Sequence, residues 1–464
     1  MEEQIALNLQ PYIYHRTYLE DTYIYDVKNK RVYLFNSSAG DMIDIIEKNP
    51  DIALCDFCTK YADIYGVEVD AIEQDTLDFI DMLISNDIVF STNYKTQISG
   101  EARKIEREDG VDYFEQIDDE IHRKTCEAKI VLSALLEITY NCNEKCIHCY
   151  AIGSNDTSGE LSTQDWFGIL DQLAEAGVFE VTLTGGDVFM RHDFLEIFDY
   201  AISKRFLVNI LSNGVLATDE QIRHIASKYP KSFSISLYGD TAEVHDSITQ
   251  IPGSFEKSLN TLKKLKALSV SIVVNTVMMK QNAESYLGVY NLSKELGANF
   301  KLSISICGAK NGDLTMFNYR IDDIEVMKKI IAHIEKSNIE KFRSTPVEGR
   351  HHKDVEGKIC AAGLNNFSIN PFGEIFLCNS LDIKIGDVKA GSIIRQWTES
   401  PIANEFRKLN VKALSECSAC ENFDYCQFCP GLAKQETGSL VKPYAEACFI
   451  ACVRAELREG GEEE

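Results

Sequence analysis

The chain has 464 residues, is 45% hydrophobic and carries a formal net charge of −25. Its length suggests two to four domains, and its apolar fraction is ample for packed cores. The charge excludes nucleic acid and an anionic membrane surface as partners, since both need local positive charge, and with no run of about 18 uncharged apolar residues there is no transmembrane helix.

The amino terminus, Met1-Glu2-Glu3-Gln4, has no signal-peptide pattern. Fifteen cysteines without a secretory signal point to metal or redox use in a reducing cytoplasm, not to a disulfide scaffold. Residues 1 to about 95 read as a first unit. Strand-like Thr22–Asp26 and Arg31–Phe35 flank a hairpin turn at Val27–Lys30. Helical periodicity follows over Ser38–Lys48, Leu54–Tyr65 and Asp70–Ile84, and Asp87–Phe90 closes the unit. Cys55 and Cys58 form a C-x2-C on the second helix; with no second pair nearby they read as half-buried thiols. The order of elements resembles a PqqD-like winged-helix peptide-recognition module. That resemblance implies docking of the leader of a ribosomally made precursor peptide by strand addition. A DNA-binding winged helix is the rival, and 18 acidic against 7 basic residues, 7 − 18 = −11 over residues 1–95, oppose it.

Residues 96–127 are rich in charge and poor in apolar pattern, as a linker is. From about 128 to 345 strands alternate with helices. Strands are expected near 131–139, 179–184, 206–212, 232–238, 271–279 and 299–306, and helices near 163–176, 192–204, 218–228, 254–268, 284–296 and 321–336. Six such repeats imply an α/β fold with a parallel sheet and helices outside it. Cys126 and Cys307 are most simply buried thiols, and His245-Asp246 a solvated polar pair.

After the first of these strands the chain reads Cys142-Asn-Glu-Lys-Cys146-Ile-His148-Cys149. Three thiols give three ligands to a [4Fe–4S] cube and leave one iron open to a small molecule; part of a zinc site or simple burial are the plainer readings. The second strand ends in Gly185-Gly186-Asp187, where paired glycines allow close approach to the backbone and an acid can receive an ammonium group. Ser212-Asn213 and Ser234–Gly239 follow the third strand and run along the fourth. The C-x3-C-x2-C string, the glycine pair and the strand–helix alternation together resemble the radical S-adenosylmethionine (SAM) enzymes. That resemblance implies a partial (βα)6 TIM-like barrel, with chemistry at the carboxyl ends of its strands. It implies a cluster on Cys142, Cys146 and Cys149 whose open iron chelates SAM, and reductive cleavage of SAM to a 5′-deoxyadenosyl radical. Gly185, Gly186 and Asp187 would hold the methionine amino group, Ser212, Asn213 and Ser236 its carboxylate and ribose, and His148 would flank adenine. Asp187 in place of the usual Glu, and Tyr238 within Ser-Leu-Tyr-Gly, depart from the family pattern.

Beyond residue 350 the alternation stops. Cys360, then Gly373-x4-Cys378, then Cys417-x2-Cys420-x5-Cys426-x2-Cys429, and finally Cys448 and Cys452, resemble a SPASM domain over 346–455. The last spacing of the central block is two residues where three is usual. That resemblance implies a loop-rich domain with two auxiliary [4Fe–4S] clusters, three clusters in all. Cys417, Cys420, Cys426 and Cys448 would hold the outer one, and Cys360, Cys378 and Cys429 the inner one, with an open iron or Cys452 as fourth ligand. Zinc is the rival for C-x2-C…C-x2-C. Residues 456–464 read as a disordered acidic tail.

The whole resembles the peptide maturases of the SPASM group, with thioether-forming sactipeptide and ranthipeptide members closest in domain plan. The implied reaction joins a peptide cysteine sulfur to carbon, with an external donor such as flavodoxin or ferredoxin supplying electrons. Carbon–carbon crosslinking, epimerisation, sulfatase maturation and a non-enzymatic zinc protein that recruits a partner are the alternatives.

Overall fold

The computed structural model describes residues 6–91, 113–151, 157–337 and 357–459. It divides into two compact units, Met1–Ile121 and His122–Glu464.

In the first unit, β1 (Ala6–Leu9) lies between β5 (Ile52–Ala53) and β6 (Val89–Ser91), while β2 (Ile13–Tyr18), β3 (Asp21–Asp26) and β4 (Arg31–Asn36) form an antiparallel meander. The expected hairpin is β3–β4, and its turn is set by Asp26, whose Oδ1 accepts the Asn29 N–H at 2.9 Å. Helix α1 (Ser37–Lys48) starts on Asn36, which caps Ala39 N at 3.1 Å. It then presses on the meander at Gly40, where a Cβ would sit 2.3 Å from Thr17 Oγ1. Helix α2 (Leu54–Tyr65) stops at Gly66 with φ 64°, and α3 (Glu73–Ser85) follows a short 3-10 turn. The thiols on α2 differ: Cys55 is exposed and Cys58 buried. His15, buried on β2, places its Nε2 3.6 Å from Asp44 and 3.4 Å from Glu47 of α1.

Where a linker is expected, α4 (Tyr113–Ala128) is helical, and Ile121 and Cys126 are buried along it. The high charge of this segment hides a narrow apolar stripe. The rest of the expected linker, the 345/346 boundary and the end of the acidic tail lie outside the described residues; residues 456–459 are the last of a helix.

The second unit is built on one sheet. Strands β7 (Ser133–Thr139), β8 (Glu180–Gly185), β9 (Leu207–Ser212), β10 (Ser232–Ser236), β11 (Ile272–Val277) and β12 (Asn299–Ser303) run parallel. Their helices are α5 (Thr163–Glu175), α6 (Phe194–Ser203), α7 (Asp219–Ser227), α8 (Ala242–Thr249), α9 (Ser254–Ala267), α10 (Tyr286–Leu296) and α11 (Ile324–Ser337). Strand β9 buries Leu207 and Val208 on opposite faces, as parallel sheets do, and β8 buries Val181 and Leu183 on one face. Trp166, Ile169, Leu170 and Leu173 of α5 cover them, and capping boxes at Ser162/Asp165 and Thr218/Gln221 fix where α5 and α7 begin. Helix α8 is additional to the expected six. It turns the expected solvated pair into structure: His245 is 1% exposed, and Asp246 accepts the N–H groups of Gly253 and Phe255 and the hydroxyl of Ser254.

The carboxyl-terminal region is less loop-rich than its sequence implies. Strands β13 (Asn366–Ile369), β14 (Glu374–Cys378) and β15 (Leu381–Asp387) continue the same sheet, giving the order β12-β11-β10-β9-β8-β7-β13-β14-β15. β13 lies parallel to β7 with Leu136 opposite Ile369. Helices α12 (Ile393–Glu399), α13 (Pro401–Lys408), α14 (Pro430–Thr437) and α15 (Ala445–Glu459) follow, and Trp397 and Phe406 join the apolar core around β7–β9.

Candidate functional site

The carboxyl end of β7 carries the first group of thiols. Tyr140 N and Thr139 Oγ1 both donate to Glu160, which fixes the strand exit. The loop is then pinned to the end of α8, with Lys145 N on Thr249 O at 2.9 Å and Ile147 N on Ile248 O at 3.1 Å. A turn from Cys149 N to Cys146 O, 3.1 Å, completes it. Burial drives the Cys142 thiol up to about 12, with Asp187, Glu144 and Cys149 adding to it. Burial, then Glu144, Cys149 and Cys142, push Cys146 well above its ordinary value. Cys149 is raised by burial, with Glu137 and Glu144 adding. The three half-buried thiols thus influence one another as one group.

Gly185 and Gly186 cross directly over this loop. A Cβ on Gly185, whose φ is +140°, would lie 2.0 Å from Thr139 O, and one on Gly186 would lie 2.3 Å from Asn141 O. The backbone crossing itself therefore requires both glycines. Asp187 is fully buried and fully engaged: its carboxylate accepts from Ser212 Oγ at 2.6 Å, Asn213 N at 2.8 Å and Phe189 N at 2.9 Å. Burial raises it all the same. The Asp187 carboxylate thereby ties the ends of β8 and β9 together. Asn213 reaches back to the thiol loop, with Nδ2 2.9 Å from Asn143 Oδ1 and 3.8 Å from Cys142 Sγ. Ser236 ends β10 opposite Asn275.

Tyr238 lies between two histidines. Its ring meets His148 edge-on at 4.7 Å and stacks on His245 at 5.6 Å, while its N–H donates to His245 Nδ1 at 3.1 Å. Burial pushes both imidazoles down to about 4, so they are neutral at ordinary pH. Sequence reasoning singled out His148 but missed this wall, because Tyr238 stood only as a departure from the family pattern and His245 as a solvated residue.

A second missed feature lies on the other side of the loop. Glu137, fully buried in β7, accepts from Tyr140 OH and Tyr150 OH, each at 2.8 Å, and pairs with Lys310. Lys310 N also donates to Tyr150 O at 2.9 Å, next to Cys149. The one sequence signal was a charged residue inside an otherwise apolar strand.

The carboxyl-terminal thiols fall into two groups. Cys360, before β13, is half-buried, and loss of water drives it up to about 12, with Cys378 at the end of β14 and Cys429 as its electrostatic neighbours. Burial also raises Cys426 to about 12, with Cys448, Cys417 and Cys420 beside it. Cys452 joins this latter group, not the former. It lies one helical turn beyond Cys448, which it raises, and accepts from Asn422 Nδ2 at 3.3 Å.

Residues 136–292 match the radical SAM superfamily, and residues 360–421 match the iron–sulfur cluster-binding domain SPASM. The chain carries a radical SAM domain and a SPASM domain. An AdoMet-dependent heme synthase of Methanosarcina barkeri is 25% identical over 331 residues, 66% of this chain and 94% of its own length. The mycofactocin maturase MftC of Mycobacterium tuberculosis is 27% identical over 300 residues, 63% of this chain and 76% of its own. The crystal structure of Streptococcus suis SuiB bound to its precursor peptide SuiA superposes with a TM-score of 0.59 at 13% identity, over 95% of this chain and 99% of that one.

A radical SAM domain binds SAM and a [4Fe–4S] cluster, and a SPASM domain binds auxiliary iron–sulfur clusters. The thiols present fit such groups better than single ions. A tetrahedral zinc with Zn–S of about 2.3 Å would hold its sulfurs about 3.8 Å apart. Among the described residues, the one set of three candidate ligand atoms within 4.8 Å of one another is His15, Asp44 and Glu47. Among the described residues no thiol group therefore brings three sulfurs as close together as one tetrahedral ion needs, whereas the ligands of a cube sit on separate irons. Asn143 Nδ2, Glu144 Oε1 and His148 Nδ1 are buried beside the first group without a hydrogen-bond partner, and so offer polar contacts to a bound molecule.

Proposed function

We propose that this chain modifies a precursor peptide by radical chemistry, joining a cysteine sulfur of that peptide to carbon. The observation that carries the reading is a three-thiol loop at the carboxyl end of a parallel strand whose sheet continues through β13 into β14, which ends at Cys378, with the thiols of residues 417–452 in the turns and helix that follow. Bound SAM and its cluster supply hydrogen-atom abstraction from an unreactive carbon. Cys142, Cys146 and Cys149 hold that cluster, and Asn213 steadies Cys142 while Asp187 locks the two strand ends that support it. With the Asp187 carboxylate already engaged, the Gly185-Gly186 segment offers a SAM amino group its backbone, and Ser212, Asn213 and Ser236 line the adjoining strand ends. Neutral His148, Tyr238 and His245 close the opposite side and keep water out. Cys417, Cys420, Cys426 and Cys448 hold the outer auxiliary cluster, and Cys360, Cys378 and Cys429 the inner one. Clusters whose potentials span roughly −700 to +450 mV according to surroundings can accept the electron released as the bond closes. An external flavodoxin- or ferredoxin-like donor supplies the reducing electron.

Peptide chemistry is favoured over tetrapyrrole chemistry by coverage. Two thirds of this chain account for 94% of the heme synthase, so the remaining third has no counterpart there, whereas the SuiB fold spans 95% of this chain. We assign residues 1–95 to leader docking. The meander β2–β3–β4 supports this, because its outer strand β4 is mostly exposed and can accept an added strand. Among the described residues no helix is long and apolar enough to cross a membrane, and fifteen free cysteines suit a reducing cytoplasm.

The test is mass spectrometry of the precursor peptide after anaerobic reaction with SAM and a reductant. A thioether removes two hydrogens and protects one cysteine from alkylation. Loss of two hydrogens with every thiol still alkylatable means carbon–carbon closure, an unchanged mass with inverted stereochemistry means epimerisation, and either result rejects the thioether.

A further inference from the structure

Cys307 is left unused by this scheme, yet the structure holds it firmly in place. It follows β12, and both of its backbone neighbours are bolted to the carboxyl-terminal helices. Ile306 N donates to Glu446 Oε1 of α15 at 3.2 Å, and Gly308 N to Gln435 Oε1 of α14 at 2.8 Å. Arg320 binds Ile306 O at 2.7 Å and pairs with Glu436 and Glu446. Helix α14 begins immediately after Cys429, whose N–H donates to Tyr444 OH at 3.2 Å. Cys307, Cys429 and Phe428 then pack on the same small core of Leu432, Ala433, Tyr444 and Ala447. The two cysteines are therefore clamped beside one another by partners on the same two helices. Burial raises the Cys307 thiol to about 11, with Cys429, Glu446 and Cys149 adding to it.

We propose that Cys307 supplies the fourth thiolate to the auxiliary cluster of Cys360, Cys378 and Cys429, an inference that rests on the assignment of those three. Cys452, the candidate that sequence spacing offered, sits in the outer group beside Cys448 and Asn422. Binding exchanges the thiol proton for an iron–sulfur bond and leaves the oxidation state of the cluster unchanged. The corner is thereby closed to outside ligands, and the inner cluster serves as an electron acceptor, not as an anchor for a substrate thiolate.

The test uses full-length protein carrying Cys142→Ala, Cys146→Ala and Cys149→Ala, reconstituted anaerobically, so that only the auxiliary clusters contribute. About eight irons are expected, four for each cube. ¹³C-cyanide should leave the electron paramagnetic resonance of the reduced clusters unchanged in this parent. Adding Cys307→Ala should either expose a corner that binds ¹³C-cyanide with a resolved hyperfine coupling, or release one iron to give a three-iron signal on oxidation. Cys307→Ser, which keeps a ligand oxygen and the volume, should retain the irons and shift the g values. Cyanide binding already present in the parent, or a Cys307→Ala spectrum identical to the parent's, overturns the proposal. The pair Cys360→Ala and Cys378→Ala, which leaves only two thiolates for that cluster, should cost about half of the iron. Retention of the full complement there overturns the three-cysteine assignment and this inference with it, whereas loss there alongside an unaltered Cys307→Ala spectrum overturns Cys307 alone.

Discussion

The thiol loop after β7 and the thiol-rich segment between Leu414 and Pro430 are built in opposite ways. The first is sewn to its surroundings by long-range backbone bonds, to α8 at Thr249 and Ile248 and to β8 at Gly186 and Asp187, and lies against a buried wall. The second runs through local turns, Cys417 N to Leu414 O, Cys420 N to Cys417 O, Phe423 N to Cys420 O and Cys426 N to Phe423 O; its ties to the rest are contacts from Asn422, Tyr425, Gln427 and Cys429 to Tyr444 and α15, and no residue between Leu414 and Pro430 is buried. The first site is therefore held chiefly by packing, while the second should lean more on its metal.

The strongest test of this contrast is Cys146→Ala. It should take 5′-deoxyadenosine release to background, a loss of more than about 100-fold, while circular dichroism stays unchanged because packing holds the loop. Retained cleavage would remove the first cluster from its assigned ligands. Stripping iron with a chelator should next raise the rate of limited proteolysis between Leu414 and Pro430 by about tenfold or more, with the β7–β12 sheet still protected. Equal sensitivity of the two regions would break the comparison. A smaller effect is expected for Gly186→Ala, whose new Cβ meets the Asn141 carbonyl at 2.3 Å; a loss of about 2–4 kcal/mol should appear as a lowered Tm. Gly168→Ala on α5, with nothing within 4 Å, should instead gain about 0.5–1 kcal/mol.

The smallest effect is on pH dependence. His245 is held down to about 4 by burial, against an unfolded value of about 6.5. The unfolded chain therefore binds a proton that the folded one refuses, and stability falls as pH drops from about 6.5 toward 4. Between pH 7.5 and 5.5 this group should account for about 1 kcal/mol of loss. His245→Gln keeps an acceptor for Tyr238 N and should flatten the acid side of the Tm profile by that amount; an unaltered slope would show that His245 is not buried neutral.

The periodic parts of the fold were legible in the sequence. Local rules placed α2 at Leu54–Tyr65 and the β3–β4 hairpin, and the six barrel strands followed from apolar runs between helical stretches. The division of the carboxyl-terminal thiols into two sets came from the family resemblance and not from spacing, which by itself would pair Cys429 with Cys426. Pairing across long stretches of chain was not legible: β13 joins β7 more than 200 residues away in sequence, and no local signal announces it. Nor was the Glu137–Lys310 pair, whose partners are 173 positions apart. Helix α8 escaped notice because it is only eight residues long and its cap, Thr241, lies inside a polar stretch. The need for two glycines at 185–186 was visible, but its cause, backbone against backbone, required the crossing to be seen.

The continuous ladder from β7 through β13 to β14 has one further consequence. It joins the strand that leads into Cys142 to the strand that ends at Cys378 by main-chain bonds alone, with Leu136 opposite Ile369 and Ile369 opposite Ile375. With clusters held on the thiols proposed for them, the spacing of these two strand ends would be set by a sheet register and not by a hinge.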